Sequence, residues 1–351
     1  MHVGLSLLTL FPGRVGGSET NVRGLLGAFA AGHGPERLTL LGNRHLGGEY
    51  AGWPVRTETR YRPGDSDLTR FLAMNLGRIH PTLDGREFDV VHYPVTVPVP
   101  DIEGAPRVVT LLDVQHHELP HMFSRGERWL RSWAYDGAAR AADHVITISE
   151  HAKRGIIEHV GVPADRITVI GLGVDLERFS PDGPARDDLG DYVLYPANRW
   201  PHKNHDRLLE AWRGVPDLTL VLTGQAFGRP VEQERVVDLG HVAADELPAL
   251  YRGARAVVFP SLFEGFGVPV LEAMACGTPV ATSDRGALAE VAGDAAIVFD
   301  PEDPAAIAAA AREAASSGGT LRDAGLAQAA RYTWEAAARA HVAVYERVTR
   351  L

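Results

Sequence analysis

Glu264 and Glu272 stand eight residues apart in FEGFGVPVLEAMACGTPV, astride a glycine-rich turn that runs into a short apolar stretch. Pro269 suits the first turn of a helix, where its missing N–H costs nothing, and Gly277 suits the residue just past its end. The turn Gly265–Val268 would then aim backbone N–H groups at an anion from the positive end of the helix. Glu264 falls at the mouth of that anion site and Glu272 inside the first turn of the helix, among apolar neighbours where an unpaired carboxylate is costly. A ligand hydroxyl satisfies such a carboxylate, and so does a backbone cap. Amides for phosphates and carboxylates for hydroxyls suit a sugar joined to a nucleotide diphosphate.

Cations for such a ligand occur in NRWPHKNHDRLLEA. Arg199 and Lys203 there could neutralise two phosphates and the charge developing on a leaving group. The alternative is a solvated loop in front of a helix, although a lysine at that helix end opposes the dipole. Trp200 and His202 read as packing and local hydrogen bonding. Gly16 and Gly17 precede Ser18, a candidate helix cap, so a polar ligand could approach there. A tight turn that touches nothing explains the pair equally, and it is not the dinucleotide fingerprint. Arg14 adds charge from the same loop or simply faces solvent.

The run VVTLLDVQHHELPHMFSRGER crowds Asp113, His116, His117, Glu118 and His121 past a strand. One reading is a His or Asp that orients a sugar or acceptor. A second is ordinary surface polarity. Metal ligation is a third, but H-H-E-x-x-H is not the zinc pattern and no helix is evident to align the side chains. The expectation is therefore that no metal is held.

Elements to position these residues follow from the alternation of short β-branched runs with alanine-rich helical patterns. Strands are predicted at His2–Leu7, Leu38–Leu41, Val90–His92, Val108–Leu112, His144–Ile148 and Ile167–Ile170, with helices at Ser18–Ala31 and Glu127–Ala141 and another after the cap Ser149. The Gly-, Pro- and Asp-rich segment Gly171–Gly190 marks a domain boundary. Beyond it come strands at DYVLYPAN, Leu218–Leu222, Ala256–Phe259 and Val280–Thr282, and helices at Asn204–Trp212, Glu246–Arg252 and Pro269–Cys276. A helical, alanine-rich tail follows Pro304. In GALAEVAGDAA, Glu290 could line the site, and Tyr332–Trp334 read as an interdomain anchor. The fold class is α/β, two Rossmann-like domains facing a central cleft: residues 1–175 on the acceptor side, 176–335 for the sugar nucleotide, and 336–351 as a helix packing back on the first.

At 351 residues the chain exceeds the usual single domain, and 45% hydrophobic with 23% charged residues is ordinary for a globular protein. The net charge of -10 argues against nucleic acid as the main partner. A single cysteine, Cys276, excludes an intrachain disulfide and reads as a buried small hydrophobe. The first strand is too short for a membrane span and no basic segment precedes it. A cytoplasmic protein with at most peripheral membrane contact is expected.

These motifs resemble those of the retaining GT-B-fold glycosyltransferases of the family 4 type, also called glycosyl transferases group 1. The resemblance rests on ELPALYRGARAVVFPSLFEGFGVPVLEAMACGTPVATS, GGSE, HKNHDRLLEA and GALAEVAGDAA, and it covers nearly the whole chain. It implies two Rossmann-like domains with a last helix crossing back, and sugar transfer with retention and no required metal or cofactor. By position it implies that Glu264 contacts donor-sugar hydroxyls and Glu272 the ribose. The backbone from Gly267 through Val268 and Pro269 to Val270 would then lie by the phosphates. Arg199 and Lys203 would clamp the diphosphate, with Gly16 and Gly17 closing the site from the other domain. GDP-mannose is the favoured donor, with UDP- or dTDP-sugars as alternatives, and the acceptor is a carbohydrate, lipid-linked or small-molecule hydroxyl. Members commonly carry the arginine one residue earlier, where this chain has Asn198. They also carry a sugar-contacting histidine where this chain has Leu112, so His116 or His117 would have to reach the same space. That leucine keeps a non-catalytic sugar-nucleotide-binding subunit as the rival reading, beside a GT-B epimerase or hydrolase. Neither linkage nor oligomeric state is written in these motifs.

Overall fold

A computed structural model describes residues 1–10, 17–43, 46, 48–50, 52–57, 82–97, 101–225 and 231–350. The chain divides into two units, Met1–Gly171 with Trp334–Leu351 and Leu172–Thr333.

In the first unit the apolar runs become β1 (His2–Leu7), β2 (Arg37–Gly42), β3 (Val55–Thr57), β4 (Leu83–Asp84), β5 (Val90–Tyr93), β6 (Ile102–Glu103), β7 (Arg107–Thr110), β8 (His144–Thr147) and β9 (Ile167–Val169). Seven of them form one sheet in the order β3-β2-β1-β5-β7-β8-β9, and β4 pairs with β6 apart from it. All pairings are parallel: Leu5 lies opposite Leu40 on one side and His92 on the other. β5 and β8 are buried along their whole length, as strands covered on both faces must be. The helices of this unit are α1 (Gly17–Ala28), α2 (Gln115–Glu118), α3 (Arg125–Arg131), α4 (Gly137–Ala141) and α5 (Glu150–Gly155), with the C-terminal helix Trp334–Val348. Val22, Leu25 and Leu26 of α1 share one apolar cluster with Ala338, Val344 and Tyr345 of that last helix. Ala134, Ala138 and Ala139 pack into another with Val109 and Val145.

Several boundaries differ from the sequence reading for identifiable reasons. α1 starts at Gly17, so Ser18 lies within the first turn and is not the cap. Gly16 and Arg14 lie outside the described residues. The helix expected from Glu127 starts at Arg125, because Ser124 and Glu127 form a reciprocal capping box. It also widens into a five-residue turn at Ser132–Asp136 before α4. Ser149 does cap α5, accepting from the Ala152 N–H at 3.0 Å.

The second unit holds β10 (Tyr192–Pro196), β11 (Thr219–Thr223), β12 (Val236–Asp238), β13 (Ala256–Phe259), β14 (Val280–Ser283) and β15 (Ala296–Phe299). They form a parallel sheet in the order β12-β11-β10-β13-β14-β15, with Leu194 opposite Val221 and Val257. Its helices are α6 (His205–Trp212), α7 (Leu247–Gly253), α8 (Val268–Ala275), α9 (Leu288–Ala292), α10 (Pro304–Ser316) and α11 (Gly319–Ala329). Both sheets are doubly wound, so two Rossmann-like α/β units make up the GT-B architecture. Tyr332 belongs to the second unit and Trp334 to the first. Tyr332 stacks edge-on against Phe266 with ring centroids 5.6 Å apart, whereas Trp334 lies on Gly24 of α1, where any Cβ would come within 2.1 Å of its ring. Among the described residues, no helix is long and apolar enough to cross a membrane.

Candidate functional site

In the second unit the strand order reverses between β10 and β13. Loops leaving the C-terminal ends of two such neighbours diverge and open a crevice between them. Arg199 and Lys203 lie on the loop after β10, and Glu264 on the loop after β13.

Local chemistry fixes these loops. Pro201 opens a single 3-10 turn that ends at Lys203, and Asn204 follows in the left-handed conformation with φ 60°. Asparagine tolerates that conformation better than other side chains except glycine. Its buried Nδ2 donates to the carbonyls of Pro260 at 3.0 Å and Pro301 at 2.8 Å, so one side chain ties the loops after β10, β13 and β15. The Leu262 N–H donates to the His202 carbonyl at 2.7 Å, and the Tyr195 hydroxyl donates to the Lys203 carbonyl at 2.6 Å. The result is an ion pair, Lys203 Nζ to Glu264 Oε1 at 2.5 Å, with the two side chains 20% and 18% exposed.

The backbone of Glu264 is held from the far side by Gly286, where φ is 64°. A Cβ there would lie 2.5 Å from the Glu264 carbonyl oxygen and 2.7 Å from its nitrogen, and the Ala287 N–H donates to that carbonyl at 3.0 Å. Gly286→Val should therefore cost about 2–4 kcal/mol in urea denaturation, through strain and displaced backbone. The same variant should lose ligand-induced stabilisation, because Glu264 moves with the turn.

Arg199 is committed elsewhere. Its Nη2 lies 2.5 Å from Asp238 Oδ2 at the end of β12, and that carboxylate also accepts from the Val231 N–H at 3.2 Å and the Gly240 N–H at 3.1 Å. Both cations are thus matched by carboxylates. Burial, followed by the charge of Lys203, lowers the pKa of neighbouring His202. Asp238 and Asn204 were not singled out in the sequence. Asn204 was signalled by its place between a turn and a helix, but Asp238 closes a strand too short to stand out.

At α8 the glycine turn ends in Gly267, whose φ of 119° suits only glycine. Pro269 has no N–H, and Val270 gives its N–H to the Gly267 carbonyl at 2.9 Å. Of Gly267 to Val270, the amides left for an anion are therefore those of Gly267 and Val268. One turn on, Glu272 Oε2 accepts from the Tyr251 hydroxyl at 3.0 Å. Burial pushes the Glu272 carboxyl up to about 7, against the opposing pull of that hydrogen bond and of Arg178. Burial likewise pushes the Cys276 thiol up to about 12, in keeping with a buried small hydrophobe.

The polar run after β7 separates into three groups. Asp113 accepts from the Gln115 N–H at 3.0 Å, and burial raises its pKa. Glu118 accepts from His151 at 2.9 Å. His116 and His117 converge on Asp136, with Nε2–Oδ distances of 3.3 and 2.9 Å. Burial opposes ionisation of Asp136, but hydrogen bonds from the two imidazoles outweigh it and hold the carboxyl below its ordinary value. The helix that seemed missing from this run is α2, and the three donor atoms lie within 4.8 Å of one another, close enough to hold a metal ion. Asp136 gave no signal in the sequence beyond an acidic residue on a helix otherwise rich in alanine. Gly17 starts α1 after β1, and Glu290 lies exposed on α9.

The sequence profile for glycosyl transferases group 1 matches residues 190–317, and that for glycosyltransferase family 4 matches residues 15–178. The chain is 35% identical over 222 residues to O-antigen chain mannosyltransferase B of Escherichia coli, covering 56% of this chain and 58% of that protein. It is 28% identical over 294 residues to the MMP alpha-(1->4)-mannosyltransferase of Mycolicibacterium hassiacum, covering 74% and 71%. With O-antigen chain mannosyltransferase RfbU of Salmonella typhimurium the identity is 30%, over 47% of this chain and 49% of the other. The chain thus spans about half the length of the first of its curated relatives. In fold it is similar to sucrose-phosphate synthase from Thermosynechococcus elongatus, at a TM-score of 0.74 and 18% identity over 99% of each chain. It is also similar to Anabaena Alr3699/HepE in complex with UDP-glucose, at a TM-score of 0.71 and 19% identity over 100% of each.

Proposed function

We infer the function of this chain from the family to which it belongs, the group 1 glycosyltransferases of family 4: it moves a sugar from a nucleotide diphosphate sugar to an acceptor hydroxyl. The observation that carries this reading is the meeting of Lys203 and Glu264 at the point where the strand order reverses, beside the turn into α8. In this reading Lys203 and Arg199 leave their carboxylates for the diphosphate and stabilise the charge that develops on it. The released Glu264 carboxylate accepts from donor-sugar hydroxyls, the Gly267 and Val268 amides bind phosphate oxygens, and Glu272 accepts from the ribose. In the same reading Gly16 and Gly17 approach the donor, and His116 or His117 orients the sugar or acceptor.

The acceptor hydroxyl approaches the face that the diphosphate leaves, and the departing phosphate takes its proton, so configuration is retained. Glu264 is then a positioning group. A double displacement would need a second carboxylate across the bond. Glu272, held by Tyr251 and assigned to the ribose, does not fill that place.

Names of the relatives favour mannose, and GDP-mannose is the donor we propose. A lipid-linked glycan is the acceptor class we propose; the names of two relatives, both O-antigen chain mannosyltransferases, favour a glycan. A thermal-shift screen of GDP-, UDP-, dTDP- and ADP-sugars tests the donor, since a ligand bound only to the folded state raises the melting temperature. GDP-mannose should give the largest shift. No shift with any of the four would remove the sugar-nucleotide reading, and a shift without transfer to any hydroxyl would favour the binding-subunit reading that Leu112 keeps open.

A further inference from the structure

α3 is a helix that buries none of its seven residues. Isolated helices of this length are marginal, and this one is held by its capping box and by continuing into the buried helical run after it. Trp129 on it is 68% exposed, the most exposed large hydrophobic side chain among the described residues. Four residues on, Trp133 stacks with it, ring centroids 6.3 Å apart and planes within 11°. Residues at this spacing share one helix face, which also carries Arg125 one turn earlier. Arg125 and Arg128 are exposed, and Arg131 lies over the rings of Phe123 at 4.8 Å and Tyr135 at 5.7 Å. The helix therefore carries three arginines against one glutamate, in a chain whose net charge is -10, and that glutamate is tied into the cap.

We propose that α3 with Trp133 is a docking surface for an anionic lipid bilayer. Tryptophan is favoured at the boundary between headgroups and hydrocarbon, where its apolar ring and its N–H each find a suitable medium. Arginines beside it meet anionic headgroups while their methylene stems stay in the apolar layer. Each such cation strengthens partitioning by roughly five-fold near an anionic surface. The stacked indoles hold the inserting group rigid, so little side-chain entropy is lost on docking. That this bilayer carries the acceptor rests on the transferase reading above; the docking itself does not.

Flotation of the full chain with vesicles tests the proposal without any transfer reaction. The protein should float with phosphatidylcholine vesicles containing phosphatidylglycerol, less so as salt rises, and should stay behind with phosphatidylcholine alone. Trp129→Ala with Arg128→Glu should lower partitioning by at least about ten-fold. The far-UV spectrum and the thermal shift with the donor should not change, since neither residue belongs to the second unit. Absence of flotation with the anionic vesicles, or equal flotation of wild type and variant, would overturn the docking surface. So would equal binding to neutral vesicles. Binding of a soluble oligosaccharide that requires Trp129, with no vesicle binding, would overturn it as well and give the stacked pair to a glycan. The donor reading is untouched by any of these outcomes and fails only in the thermal-shift screen.

Discussion

Replacing Lys203 with alanine should lower the rate of the proposed sugar transfer by about 10²–10³-fold, the loss typical of one preorganised donor to a developing anion. That range corresponds to about 3–4 kcal/mol of transition-state stabilisation. The effect should appear mainly in kcat, because the charge on the diphosphate grows as its bond to the sugar breaks. Lys203 also has a structural role, since its 2.5 Å pair with Glu264 is largely shielded from solvent. Removing it leaves the carboxylate without its cation at a cost of about 1–3 kcal/mol. A double variant, Lys203→Ala with Glu264→Ala, separates the two roles. Stability should return toward wild type because no charge is left unmatched, while transfer should stay as low as in the single variant or fall further. Transfer that recovers together with stability would make the pair a structural ion pair and move the chemistry elsewhere. Near-wild-type transfer by the folded single variant would do the same.

The sequence spelled out most of the frame that holds this pair. β13 was read residue for residue, because AVVF is an unbroken apolar run between a helix and a proline, as a strand buried on both faces should be. β12 and β15 were not read. The first has three half-buried residues, and the second exposes Val298 at the sheet edge, so neither carries the signature of a central strand. Residue type singled out Glu264, Lys203 and Glu272 as candidates, but their partners came only with the fold. Arg199 meets Asp238 across thirty-nine positions of chain and Lys203 meets Glu264 across sixty-one, and such pairings depend on strand order. The same holds in the first unit, where His116 and His117 were visible as a pair and their shared partner Asp136 was not. Capping signals were local and therefore legible at Ser149. The box at Ser124 and Glu127 was equally local, yet Glu127 was read as a helix start when it is the third residue of the first turn.

Glu272 should make donor affinity depend on pH near neutrality. Its carboxyl is pushed up to about 7, from an ordinary 4.5, by burial on α8. Above that value it is a carboxylate able to accept hydrogen bonds from two ribose hydroxyls, and below it one oxygen is protonated. The KM for the donor should therefore rise as pH falls through about 7, approaching ten-fold per unit, while kcat changes less. Stability moves the opposite way. Between 4.5 and about 7 the folded chain holds a proton on Glu272 that the unfolded chain has released, so stability declines as pH rises through this window. Above about 7 the cost of the buried charge is fully present. It is at most about 3 kcal/mol, and less to the extent that solvent reaches the half-buried side chain. Glu272→Gln keeps the shape and an acceptor oxygen but cannot ionise. It should melt higher than wild type at pH 8, match it near pH 4, and show no inflection in KM near neutrality. A wild-type KM that is flat across this range, or a glutamine variant that keeps the inflection, detaches Glu272 from the ribose. A stability gain at pH 8 would then still report the buried charge, which separates the electrostatics of the residue from its part in binding.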